Sequence, residues 1–215
     1  MYQTMEVELK EDKGKSPFIL IPSLFLILIV LALIVPFYAV KLDPEPTQIV
    51  SLEDISSLNF TLNKINNSIN RKEDFLRFLN ANDKIIKGVA DSVVVTAECN
   101  SVKVCYAKAL LYFVRQEIEY INDPPEEYVK SARATLLSGA GDCDDQTVLL
   151  ANLMQAVGFE TRFVFVPGHV YLEGFIPDAP GKYRSKGWVA MDATCEYCEL
   201  GEISYKSSED EKSYV

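Results

Sequence analysis

The sequence is short of histidine, with 1 in 215 residues, and short of positive charge, with 21 lysines and arginines against 31 aspartates and glutamates. The first shortage leaves His169 as the one imidazole available for acid–base work. The second gives a net charge of -10, and the whole excess lies beyond residue 41. That balance argues against nucleic acid or anionic lipid headgroups as partners of the part that carries it. No internal repeat and no long low-complexity segment is present, so a solenoid or a disordered tail is not the frame of the chain. No oxygen-ligand loop stands apart from the acidic run around Asp142, and no cofactor is expected.

What the chain does have is one long apolar run. Residues 17–40 hold no charged side chain and are dominated by Ile, Leu, Phe and Val. As a helix they would rise about 36 Å, enough for a hydrocarbon core of roughly 30 Å, and the reading is a single transmembrane helix. Pro22 and Pro36 sit toward its ends, where a kink is tolerated. A cleaved signal peptide is the alternative, but its apolar core would usually be shorter. Lys10, Lys13 and Lys15 precede the run and only Lys41 follows closely, which puts the N-terminus in the cytoplasm and the rest outside. The expected organisation is therefore a cytoplasmic tail over 1–16, the span over 17–40, a proline-broken juxtamembrane linker over 41–58, and one domain over 59–215 of about the size that buries an adequate core. Asn59-Phe60-Thr61 and Asn66-Asn67-Ser68 are glycosylation-type triplets compatible with that side. The acidic stretch Ser208-Glu209-Asp210-Glu211 reads as a solubilising tail.

Five cysteines divide as four plus one. Cys99, Cys105, Cys195 and Cys198 could form disulfides, as suits an oxidising compartment, or a four-cysteine zinc site if the two pairs meet in space, or stay as unpaired thiols. Four cysteines allow three disulfide connectivities, and spacing does not choose among them. A redox role for Cys195-x-x-Cys198 is disfavoured, because that motif normally opens a helix, and here it follows a strand and precedes acidic loop residues. Cys143 is left over.

Local patterns give the elements around it. Residues 71–85 read as a helix with Phe75, Phe78 and Leu79 on one face. Ser101 could cap a second helix running to about Tyr120, and Asp123-Pro124-Pro125-Glu126 interrupts the chain before a short helix over 128–137. A helix from about Asp142 to Val157 buries Leu149, Leu150, Leu153, Met154 and Val157, and Gly158 stops it. Residues 161–166 and 169–175 read as strands around a Pro167-Gly168 bend, followed by a turn over 183–187 and a strand over 188–191. If these strands are antiparallel neighbours, His169 and Asp192 lie side by side.

The chemistry concentrates in Gly139-Ala140-Gly141-Asp142-Cys143-Asp144-Asp145-Gln146. Cys143 falls in the first turn of a helix, where unpaired N–H groups and the dipole favour a thiolate. Val166-Pro167-Gly168-His169-Val170 and Gly187-Trp188-Val189-Ala190-Met191-Asp192-Ala193-Thr194 follow. Together Cys143, His169 and Asp192 could act as nucleophile, base and orienter. Asp142, Asp144 and Asp145 suit capping of a helix N-terminus better than a calcium site. Trp188 is either a pocket wall or plain core.

At these motifs the chain resembles the transglutaminase-like superfamily, whose pattern is Gly-Asp-Cys at a helix start, Gly-His on a following strand and Asp-(Pro/Ala)-Thr on the next. The likeness runs from about Ala107 to about Thr194. It implies an α+β fold with a papain-like core, the cysteine helix laid on an antiparallel sheet, and a membrane-anchored cysteine hydrolase or acyltransferase acting on peptide or isopeptide bonds. The chain has no room for the flanking β-sandwich domains of the animal enzymes, so calcium-switched crosslinking is not expected. The alternative from another class is a catalytically silent binding module of the same fold, also membrane-anchored.

Overall fold

The computed structural model describes residues 17–55, 69–122, 128–204 and 211–215. Outside them lie the N-terminal tail, the triplets at Asn59 and Asn66, the 123–126 interruption and most of the acidic stretch at 208–211. The chain divides into two compact units, Met1–Lys41 and Leu42–Val215.

The first unit is carried by helix α1, Pro17–Leu42, which matches the expected helical run. Its side chains are described continuously over residues 21–35, where the large apolar groups are exposed. That stretch rises about 22 Å, and among the described residues no helix is long and apolar enough to cross a membrane.

The second unit has helices on one side of a five-stranded antiparallel sheet. Its helices are α2 (Leu52–Ile55), α3 (Lys84–Thr96), α4 (Lys103–Glu117), α5 (Ala132–Ser138) and α6 (Cys143–Ala156). The strands are β3 (Thr161–Val166), β4 (His169–Phe175), β5 (Arg184–Ser185), β6 (Trp188–Met191) and β7 (Ser213–Tyr214), in the order β5-β6-β4-β3-β7. A separate parallel pair joins β1 (Glu119–Tyr120) to β2 (Ala140–Gly141) just ahead of α6.

Helix α6 is central. Residues Asp145–Met154 are all buried, because α3, α4 and α5 pack on one side of the helix and β3 and β4 on the other. A single apolar stripe would not satisfy such a position. The sheet has two apolar faces. Val170, Leu172, Val189 and Met191 join the main core, whereas Val164, Val166 and Tyr171 form a smaller cluster with Ala190 and Ile203. His169 shares the Tyr171 face by the alternation of a strand.

Three expectations shift. Residues 71–85 are not one helix: a 3₁₀ segment, Lys72–Phe78, is followed by α3, whose N-cap Asp83 accepts from the N–H groups of Ile85 (2.9 Å) and Ile86 (3.2 Å). A strong capping residue thus starts a new helix where periodicity alone would continue the old one. Ser101 does not cap α4; it stands at φ 65 in a tight turn with Glu98 and Asn100, closed by the Cys99–Cys105 disulfide. The described part of the linker expected over 41–58 is not detached. Its Asp43 bonds the buried Lys108 ammonium at 2.6 Å, Glu45 pairs with the same group, and Leu52 N–H donates to Glu117 at 2.7 Å.

Candidate active site

The Gly139–Gln146 stretch folds as a turn feeding a capped helix. Gly139 ends α5 in the left-handed region, at φ 63, where a Cβ is disfavoured. Gly141 is required for another reason, since a Cβ there would stand 2.5 Å from Cβ of Asp145. Asp142 is the N-cap of α6, accepting from the N–H groups of Asp144 (3.1 Å) and Asp145 (3.3 Å). Asp145, fully buried, accepts from Lys130 N–H at 2.7 Å and pairs with the Lys130 ammonium. Two of the three aspartates are thereby committed to structure, as the capping reading expects. Asp142, Cys143 and Asp144 offer one ligand atom each within 4.8 Å of one another. All three come from a single turn, and one of the Asp142 oxygens is occupied by the cap.

Cys143 is the free cysteine, half-buried at the first position of α6. The pairing of β6 with β4 stops at Met191 and Leu172, so backbone groups of β4 beyond that point are open to α6. Val170 C=O accepts from the Thr147 hydroxyl at 3.2 Å, and Val170 N–H lies against the Cys143 sulfur. The Cys143 sulfur thus lies against the residue that follows His169, and among the described residues no hydrogen bond joins it to the His169 ring. Its Sγ–H also reaches Asp144 Oδ1 at 3.5 Å. Burial first, and then the carboxylates of Asp144 and Asp142, push the thiol up to about 12, although the Val170 N–H favours the anion. The expectation of a thiolate stabilised by the helix start is thus reversed. Desolvation and two like charges work against the thiolate.

His169 opens β4 directly after Gly168, at φ 72. Its Nε2 bonds Asp192 Oδ2 at 2.9 Å, and the ring stacks on Tyr171 with centroids 6.3 Å apart. Asp192 follows β6, with a side chain 1% exposed. Its Oδ1 accepts from Thr194 N–H (3.2 Å) and hydroxyl (2.9 Å), and Oδ2 accepts from Ser204 N–H (3.3 Å). Burial alone would raise this carboxyl, but the bonds from His169, Ser204 and Thr194 prevail and hold it below its ordinary range. His169 and Asp192 are thus joined, and Nδ1 is the ring nitrogen that Asp192 does not engage.

A cleft of about 590 Å³ borders this region, lined among others by Arg115, Tyr120, Gln146, Ala193 and Thr194. Burial first, and then the charges of Cys143, Asp142 and Asp144, raise the Tyr120 phenol. Arg115 and Ser204 stand in no sequence motif, whereas Thr194 stands in Asp-Ala-Thr. Trp188 lies at the far end of β6 from Asp192. Its ring packs with Phe175 at 5.3 Å and under the Arg162 guanidinium at 4.1 Å, which makes it part of a surface stack. The four remaining cysteines pair locally, Cys99 with Cys105 and Cys195 with Cys198. Those bonds use the sulfurs that the zinc alternative required.

Among curated proteins, none matches the chain. Two solved structures are similar in part. A candidate cysteine protease from Cytophaga hutchinsonii is 22% identical over 58% of this chain and 43% of its own length, with a TM-score of 0.38. Legionella pneumophila LapG, EGTA-treated, is 15% identical over 78% of this chain and 81% of its own, with a TM-score of 0.43. This chain thus spans less than half of the first of these proteins, and neither likeness bears on activity. Residues 87–193 match the transglutaminase-like superfamily. With its cysteine helix laid on an antiparallel sheet and its three motifs in order, the chain belongs to the transglutaminase-like superfamily.

Proposed function

We propose that the protein is a membrane-anchored cysteine hydrolase or acyltransferase that opens peptide or isopeptide amide bonds with Cys143, His169 and Asp192. The observation that carries this reading is the 2.9 Å bond from His169 Nε2 to a buried, multiply bonded Asp192, with the Cys143 sulfur against the N–H of the next residue, Val170. His169 Nδ1 takes the thiol proton as Sγ attacks the amide carbonyl carbon. The oxyanion so formed draws on the backbone N–H of Cys143 at the start of α6. The C–N bond breaks, His169 gives its proton to the departing amine, and a thioester remains on Cys143. Water or a second amine then attacks the thioester, the S–C bond breaks and the thiol is restored. Asp192 keeps the proton on Nε2, so that Nδ1 can serve as the base.

Residues 17–40 serve as the anchor, with the N-terminus in the cytoplasm and the catalytic domain outside. The uncharged apolar run, its basic leading flank and the two disulfides support this side of the membrane. A peptide or protein is the substrate, and nucleic acid is not a partner. One observation favours the silent binding module instead: the thiol is pushed up to about 12, and a resting thiol is a weak nucleophile.

Labelling with a thiol-directed electrophile separates the two readings. Cys143 should be modified in the parent chain, Cys143→Ala should not label, and His169→Ala should label at least about 100-fold more slowly, the lower end of what a general base supplies. Equal labelling of parent and His169→Ala would end the catalytic reading.

A further inference from the structure

Arg115 sits in the last turn of α4, a helix packed on α6, and carries no role in the steps above. Its guanidinium donates from Nη2 to the carbonyl oxygen of Asp192 at 3.1 Å and from Nη1 to that of Cys198 at 2.8 Å. These two carbonyls mark the ends of the loop that leaves β6. Within the loop, Cys195 N–H donates to the same Asp192 carbonyl at 3.4 Å, and Cys195 is bonded to Cys198. The loop is therefore a small closed unit held at both ends by one planar cation. Arg115 Nε is buried without a partner among the described residues, so the placement costs a solvated N–H. Burial lowers its pKa, yet a guanidinium stays charged in a protein.

The contacts of the Asp192 side chain come from the sheet and from its own loop: His169 on β4, Thr194 in the loop and Ser204 beyond it. Among the described residues, none of its hydrogen bonds comes from the helical layer that bears Cys143. Arg115 supplies that missing connection. We infer that Arg115 is a positioning residue, a tie that fixes the Asp192 backbone relative to the cysteine helix and so sets where the His169–Asp192 pair stands against Cys143. The inference rests on the triad reading above and deepens it. A tie of this kind matters kinetically because misplacing a reacting group by about 1 Å can cost on the order of 100-fold in rate.

The test uses the full chain in detergent and follows alkylation of Cys143 by iodoacetamide from pH 5 to 10, read by mass spectrometry. The part of the rate that disappears in His169→Ala is the quantity of interest. Arg115→Gln should reduce it about tenfold and change its pH profile, and Arg115→Lys, which offers one charged donor to two carbonyls, should fall between Gln and the parent. Thermal melting establishes which variants are folded at the assay temperature. If Arg115→Gln is not folded, Arg115→Lys decides, with a loss of about threefold expected. A purely structural role would lower the melting temperature and leave the His169-dependent rate within twofold of the parent, and that result would overturn the inference. A parent chain with no His169-dependent rate would instead remove the triad reading itself, and this inference with it.

Discussion

Asp192→Asn tests the proton path with little change in shape. In the parent, Oδ1 accepts two bonds from Thr194 and Oδ2 accepts from His169 Nε2 and Ser204 N–H. An asparagine that keeps its oxygen on the Thr194 side keeps two of those four acceptor contacts. Its NH2 then faces Ser204 N–H, donor against donor, at a cost of about 1–3 kcal/mol in stability. The same NH2 would donate to His169 Nε2, which must become the unprotonated nitrogen, and the ring proton moves to Nδ1. The nitrogen assigned to take the Cys143 proton is then already occupied. Rate loss should equal the general-base share, roughly 100- to 10,000-fold, or about 3–5 kcal/mol in the barrier. With 1 histidine in the chain, ¹⁵N NMR of labelled protein reports its tautomer without assignment, and alkylation of Cys143 reports the rate. A folded Asp192→Asn protein whose ring keeps its proton on Nε2, or whose rate is within twofold of the parent, would refute the reasoning.

Two further outcomes follow from the segment after α1. Burial would raise Asp43, but bonds from Lys108, Lys182 and Tyr183 lower it from 3.8 to about 2; such a depressed carboxylate adds stability above about pH 4 that fades as pH falls toward 2, amounting to roughly 2 kcal/mol for a side chain 18% exposed. The gap in urea midpoint between parent and Asp43→Asn should therefore narrow from pH 5 to pH 2, and an unchanged gap would sink the assignment. For the anchor, the full chain should stay with the membrane pellet after alkaline carbonate washing and a chain starting at residue 42 should not; release of both would remove the anchor.

Much of the fold was legible because strands and helix starts are local signals. The alternation in Thr161–Val166 and His169–Phe175 and the bend between them correspond residue for residue to β3 and β4, and Asp142 announces α6 as a cap. The elements missed depend on distant partners. The β1–β2 pair is 2 residues long in each strand and exists only because α5 returns the chain beside Glu119. Strand β7, also 2 residues long, pairs with β3 across almost fifty positions. At the site, Cys143, His169 and Asp192 could be named because each stands in a motif. Arg115 could not, since an arginine in the last turn of a helix is favoured there by the dipole alone. The thiol's upward shift was also illegible, because burial is a property of the assembled fold.

That shift bears on how the site works. With the thiol pushed up to about 12, the resting sulfur is protonated at pH 7, unlike that of a preformed ion pair. A thiol so held reacts sluggishly with disulfides, which is compatible with a lone cysteine in a chain that carries two. On the proposed triad reading, a protonated resting thiol favours proton transfer to His169 together with formation of the S–C bond, and a bound substrate that displaces part of the unfavourable field. Asp144, 3.5 Å from Sγ, is the nearest source of that field. A substrate group that neutralises or turns away the Asp144 carboxylate would lower the cost of ionisation at Cys143.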